Sequence, residues 1–179
     1  LDRLFSRYLS ECMIPTQWKT SKTVLLFRKG HDIGNYRPIC LLCVVYKIFT
    51  RVILNSIDRT LNEGDPCEQA GFRKGFSTMD HIHTLTWLTE VSREYEIPLC
   101  LTFIDIENAF DSIEIEAVME ALGSHEVPTQ YVKILRELYK NFTTKISPFY
   151  NDINVDVKRG VGQGDTISPK LFTATLQNV

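Results

Sequence analysis

Between Val44 and Leu61 the apolar residues Val45, Ile48, Phe49, Val52, Ile53 and Ile57 return every three or four positions. That spacing lays one face of an α-helix against a core, and Asn62 and Gly64 close the pattern, so a helix is predicted over 44–61. Ser77 with Asp80 three residues later reads as a capping box. It opens a second helix to about Tyr95 through Ile82, Leu85, Leu88 and Val91. Further helices are predicted over 3–12, over 114–122 with Gly123 as the stop, over 128–140 with Pro128 in the first turn, and from Ser168 onward. Strands are expected at "TVLLF" (23–27), "RPICLL" (37–42) and "LCLTFIDI" after Pro98. Two more, near 142–149 and 153–158, flank "YND" and predict a β-hairpin, and "RGVGQGD" is a glycine-punctuated loop. No repeat, low-complexity tract or linker interrupts this order.

Composition adds bounds. With 179 residues and 44% hydrophobic content, the chain can bury a core as one domain, or as one domain with a lobe. No apolar run approaches the roughly 18 residues of a membrane span, and the first residues lack a signal layout. The expectation is a soluble, intracellular chain of the nucleus or cytoplasm, with no membrane partner. Five cysteines at irregular spacings do not form a secreted disulfide framework. Cys40, Cys43, Cys67, His81 and His83 make a zinc site on paper. Cys40 and Cys43 sit in an apolar run rather than in a loop, however, and buried free thiols are the expectation. The net charge of −2 divides into +4 over residues 1–80 and −6 over 81–179. Such a chain could hold phosphates with its first half and metal ions with its second, although scattered surface charge has the same sums.

The chemistry centres on "CLTFIDIENAFDSIEIEAV", where an apolar run ends in Asp105. A carboxylate at a strand end is held rigidly while facing a cleft, which suits a metal ligand or catalytic acid. By itself the feature is equally at home as a helix cap or turn. Phe110 follows five residues later, where a turn could bring its ring beside the carboxylate. Asp111 reads as a cap for the helix near 113, with a metal ligand as the alternative.

Four segments in order, "GNYRPICLL", "QAGFRKGFSTMDHI", "FIDIENAFDS" and "RGVGQGDTISPKLF", resemble the motifs of reverse transcriptases, most of all those of non-LTR (LINE-type) retrotransposons. The resemblance spans residues 14–179. It implies an α+β fold, the polymerase right hand, with a fingers-like lobe over 1–95 and a partial palm over 96–179. The family's next motif, Tyr- or Phe-x-Asp-Asp, is expected beyond residue 179, so the chain is expected to be a fragment truncated before it. The implied activity of the intact parent is RNA-templated DNA synthesis, with nucleotidyl transfer to a primer 3′-hydroxyl. The alternative is a catalytically inactive remnant that retains nucleic-acid binding. A third and weaker alternative is an unrelated magnesium phosphotransferase.

The resemblance also implies roles. Asp105 corresponds to the first catalytic aspartate, a ligand of two Mg²⁺ ions (Mn²⁺ is possible), and the backbone carbonyl of Ile106 to a further ligand; hard cations prefer such oxygens. Phe110 corresponds to the aromatic gate that favours deoxynucleoside triphosphates, where without the motif it reads as a core Phe. Lys29 and Arg37 correspond to the basic residues on the incoming triphosphate, with Arg28 able to exchange roles with Lys29. Arg73 and Lys74, just before a helix N-terminus, correspond to contacts with the RNA template, and a DNA primer would lie opposite. Gln163 and Gly164 correspond to the Gln-Gly pair beside the nascent base pair, where glycine lets backbone come close. Gly162, Glu107 and Asn108 depart from the family, which places basic residues there. Nothing in the chain indicates an oligomeric state.

Overall fold

The computed structural model describes residues 1–27, 36–64, 68–73, 75–148 and 151–177. They divide into two compact units, one formed by Leu1–Asp65 with Asn108–Val179 and the other by Pro66–Glu107. Lys29, Lys74, Arg28 and Cys67, each singled out above, lie outside the described residues.

The larger unit is organised by α2 (Val44–Gly64), whose buried residues are Tyr46, Phe49, Thr50, Ile53, Leu54, Ile57 and Leu61. These positions follow the helical repeat closely, but the stripe is rotated from the predicted one. Ile48 and Val52 are exposed, and Tyr46 and Thr50 take their place inside. Around α2 pack α1 (Asp2–Glu11), a 3-10 turn at Thr16–Lys19, α5 (Ile115–Ser124), α6 (Thr129–Tyr139) and α7 (Ser168–Leu176). Their shared core includes Phe5, Trp18, Val118, Leu122, Ile134, Leu138, Ile167 and Leu171. Near α1 the packing is aromatic. Phe49 meets the Phe5 and Trp18 rings at 5.2 Å each, and Tyr8 stands edge-on to Trp18 at 5.3 Å.

Beside these helices lies a four-stranded sheet in the order β2-β1-β3-β4, made of β1 (Thr20–Phe27), β2 (Tyr36–Leu41), β3 (Thr143–Ile146) and β4 (Ile153–Asp156). The expected hairpin is present, with Ile146 opposite Ile153, while β1 and β3 pair in parallel from Thr20 and Thr143. The inner face of the sheet is hydroxylic rather than aliphatic. Ser21 donates to Thr144 Oγ1 at 2.8 Å, and Thr23 and Thr144 share a hydrogen bond of 2.7 Å. Each of these three sheet hydroxyls therefore has a partner, the condition for placing it there.

Two expectations need correction. "LCLTFIDI" is not a strand: residues 97–106 have no regular structure, so Asp105 does not stand at a strand end. A strand exists through its hydrogen-bonded neighbours, and no described strand pairs with this run. Phe103 and Ile104 are accordingly exposed. Nor does Gly123 stop α5. The helix ends in a Schellman motif, with Glu126 N–H on the Gly123 carbonyl and Val127 N–H on the Leu122 carbonyl, both at 3.0 Å. The left-handed residue is Glu126, at φ 57°.

In the smaller unit, α3 (Thr78–Glu94) carries the expected capping box, Ser77 N–H donating to Asp80 Oδ2 at 2.7 Å. Its apolar stripe is not covered. Ile82 and Leu85 line a shallow groove with Leu101 and Phe103 of the same unit, and no residue of α3 is buried.

Glutamate tolerates the left-handed region poorly, so Glu126→Gly is expected to raise stability by about 1 kcal/mol, read as a later midpoint in urea unfolding. An unchanged or earlier midpoint would contradict this account of the α5 terminus.

Candidate functional site

The glycine-rich segment 159–165 is held from three sides. On one side, Gly160 N–H donates to the Ile113 carbonyl at 2.7 Å and Val161 N–H to the Phe110 carbonyl at 2.8 Å. This ties the loop to the short α4 (Ala109–Ser112). A Cβ on Gly160 would stand 2.9 Å from Asp111 Cα, and its φ is +89°, so the close approach depends on glycine. On the second side, the edge strand β2 turns Cys40 N–H outward to the Gln163 carbonyl at 2.8 Å. Gly164, at φ +116°, packs so tightly that a Cβ would meet the Cys40 carbonyl oxygen at 2.8 Å. The loop thus covers a sheet edge that would otherwise expose unpaired backbone groups.

The third hold is a buried carboxylate. Asp165 accepts hydrogen bonds from Tyr46 Oη on Oδ2 and from Thr50 Oγ1 on Oδ1, each at 2.9 Å. Tyr46 and Thr50 lie one turn apart on α2, so both donors face the same way. Burial pushes the Asp165 carboxyl above its ordinary range, and the two hydroxyl donors pull it back only in part. Burial, followed by the Asp165 charge, raises the Tyr46 phenol well above its usual value and raises Tyr139 as well. Between loop and sheet is a pocket of about 160 Å³, lined by Thr23, Cys40 and Thr144 of the sheet together with Asp111, Gln163 and Asp165. Asp111 is raised by partial burial. It sits inside α4, and the N-cap of α5 is Glu114, so Asp111 does not cap that helix.

Arg37 stands exposed on β2 opposite Leu26, three residues before Cys40, so strand and loop bring Arg37, Gln163 and Gly164 into one connected segment. The half-buried Phe110 ring stacks on Phe172 of α7 at 4.8 Å. In the smaller unit, Asp105 and Ile106 are exposed in the irregular segment. The Arg73 guanidinium lies 5.0 Å over the Phe76 ring, in the turn before α3. Cys43 and Cys100 are exposed and Cys40 is half-buried, so the thiols are not all core residues. Among the described residues, no three His, Cys, Asp or Glu side chains are grouped to hold a metal ion. A two-ion centre needs several oxygen ligands around both ions, so the described residues do not fit it by themselves. Sequence reading missed Tyr46 and Thr50. Their signal was the helical repeat they share with Phe49 and Ile53.

This α+β arrangement, with a glycine loop pinned to a strand edge, is a polymerase fold. It resembles apo telomerase from Candida tropicalis with a TM-score of 0.63 at 13% identity, over 98% of this chain and 43% of that one. The sequence profile of the family described as reverse transcriptase (RNA-dependent DNA polymerase) matches residues 27–179, and the chain belongs to that family. Its relatives include the "Probable RNA-directed DNA polymerase from transposon BS" of Drosophila melanogaster, 26% identical over 97% of this chain. Another is the RNA-directed DNA polymerase from mobile element jockey of the same species, 25% identical over 97%. The chain spans 20% and 19% of the length of these two. No helix among the described residues is long and apolar enough to cross a membrane.

Both raised carboxyls, Asp165 and Asp111, hold a proton more tightly folded than unfolded. Their contribution to stability is complete below the ordinary carboxylate value and is lost as pH rises through their raised folded values. Asp165→Asn removes one of the two. Between about pH 4 and pH 7 the melting temperature of the parent chain should therefore fall relative to that of Asp165→Asn. A constant difference would show that Asp165 is not the titrating group.

Proposed function

We propose that this chain is the nucleotide- and template-gripping part of a longer polymerase that copies RNA into DNA, with a fingers lobe over 1–95 and part of a palm over 96–179. The observation that carries the reading is the Cys40 to Gln163 hydrogen bond, because it joins the strand bearing Arg37 to the Gln-Gly loop. In this reading Arg37 and Lys29 hold the phosphates of an incoming deoxynucleoside triphosphate. Gln163 and Gly164 border the new base pair, and Phe110, braced by Phe172, excludes a 2′-hydroxyl. Arg73 and Lys74 touch the RNA template, with a DNA primer paired to it. Reverse transcriptases normally work with divalent metal ions, which supply charge stabilisation at the transferring phosphoryl group. Asp105 and the Ile106 carbonyl are proposed as ligands of a magnesium pair that other parts of the polymerase complete.

Two measurements test this. The chain alone should bind an RNA–DNA duplex weakly and without sequence preference, and its affinity should fall steeply with salt. Arg73→Ala should lower the salt slope by about one unit. No binding at low salt, or an unaltered slope, would contradict the assignment of template contacts to this segment. In primer extension on an RNA template, the chain alone should incorporate nothing. The full polymerase should be active and should lose that activity with Asp105→Ala. Duplex binding without incorporation by the full protein would instead identify an inactive remnant.

A further inference from the structure

The hydroxyl clasp on Asp165 has no part in the proposed function above, although it is a buried, fully hydrogen-bonded polar cluster. Tyr46, Thr50 and Asp165 are all buried, with Thr50 fully so, and the two 2.9 Å hydrogen bonds satisfy both carboxylate oxygens. Thr50 Oγ1 also lies 3.3 Å from Thr166 Oγ1, so a single hydroxyl touches two consecutive residues of the chain entering α7. Only one residue separates Asp165 from Gln163, whose carbonyl is taken by Cys40.

We propose that Tyr46 and Thr50 of α2 are positioning residues that act through Asp165 to fix the loop carrying Gln163 and Gly164. The geometry supports this over a purely structural role. An aliphatic side chain would fill the core beside Phe49 and Ile53 at no polar cost, whereas a buried carboxylate is favourable only where donors meet it. Two donors from one helix face fix both the place and the rotation of the carboxylate plane. Backbone hydrogen bonds hold the loop at Gly160, Val161 and Gln163, and the Asp165 carboxylate is its side-chain anchor on α2. The groups facing the carboxylate are the Tyr46 and Tyr139 phenols, the Thr50 hydroxyl and the backbone N–H groups of Thr166 and Ile167. A displacement of Asp165 by even a fraction of an ångström would carry Gln163 with it, and a site tuned to its substrate is sensitive to shifts of that size.

The nucleotide part of this inference rests on the proposed function, so its test has an arm independent of activity. Hydrogen exchange of the 179-residue chain should show faster exchange over 159–166 in Tyr46→Phe and Thr50→Val, with α5 and α6 unchanged. Thr50→Ser, which keeps the hydroxyl, should match the parent. Loop exchange equal to the parent in Tyr46→Phe and Thr50→Val, or loosening of every element together, would overturn the proposal. In the full polymerase the same two variants should raise KM for the deoxynucleotide several-fold with a smaller change in kcat. Their effect should vanish in a Gln163→Ala background, because they act through that loop. Equal effects with and without Gln163 would also overturn it. A full polymerase without any incorporation would defeat the proposed function instead, while the exchange data would still decide whether the clasp holds the loop.

Discussion

The arrangement depends on what α2 buries. One stripe of this helix must leave water, and it is almost entirely apolar except for two hydroxyls near its N-terminal end, Tyr46 and Thr50. Apolar burial is tolerant of small rotations, since neighbouring side chains can refill the space. Hydroxyls are not, because each needs an acceptor in a definite direction. Asp165 supplies both acceptors, and so fixes where the chain must run as it enters α7. Ile167 and Leu171 then follow into the core by helical spacing. From the same point backward, Gln163 reaches Cys40 and closes the exposed edge of β2, so this short loop ties the β2 edge of the sheet to the helices. Outside that loop the helices cohere mainly by apolar contact, with polar links such as Lys19–Glu137 and Arg136–Glu116 at their margins, and the sheet coheres by its own ladder and hydroxyl pairs.

Most of the helices could be read from the sequence because period and punctuation agreed. The cap at Ser77 and Asp80 and the start at Ser168 came from local chemistry that tertiary contacts did not override, whereas α2 runs on through Asn62 to Gly64 beyond its expected end at residue 61. The failures had tertiary causes. "LCLTFIDI" has the composition of a buried strand, but a strand is a relation between segments, and no pattern within one segment can show that a partner is present. The rotation of the α2 stripe failed for a related reason. Ile48 and Val52 are more hydrophobic than Thr50, so hydropathy alone favours them, and only the distant Asp165 makes the threonine worth burying. At the end of α5 a glutamate took the conformation expected of a glycine, which local preference disfavours and the 6→1 and 5→2 hydrogen bonds enforce.

The site was legible to a different degree. Gln163, Gly164 and Arg37 were singled out from motifs, and their link through Cys40 was not, since a hydrogen bond between backbone groups leaves no signature in side-chain identity. Asp105 was conspicuous for the opposite reason: a charge after an apolar run stands out whether or not its surroundings are assembled. Asp111 was read as a cap because aspartates often are, whereas it lies inside α4, where Gly160 approaches it closely from far along the chain.

The parallel pairing of β1 with β3 has a consequence for how the protein is made. Thr20 and Thr143 are 123 residues apart, and no turn can bring them together early. During synthesis at about 5–20 residues per second, β1 leaves the ribosome roughly 6–25 s before its neighbour exists. β2 can protect one side of β1 at once, as an antiparallel partner close in sequence. The other side waits with its Ser and Thr hydroxyls and backbone donors open to any strand that arrives. Over Thr20–Thr23, the stretch that pairs with β3, polar residues make that wait safer than Val or Ile would, because such a stretch is better solvated and less adhesive to other nascent chains.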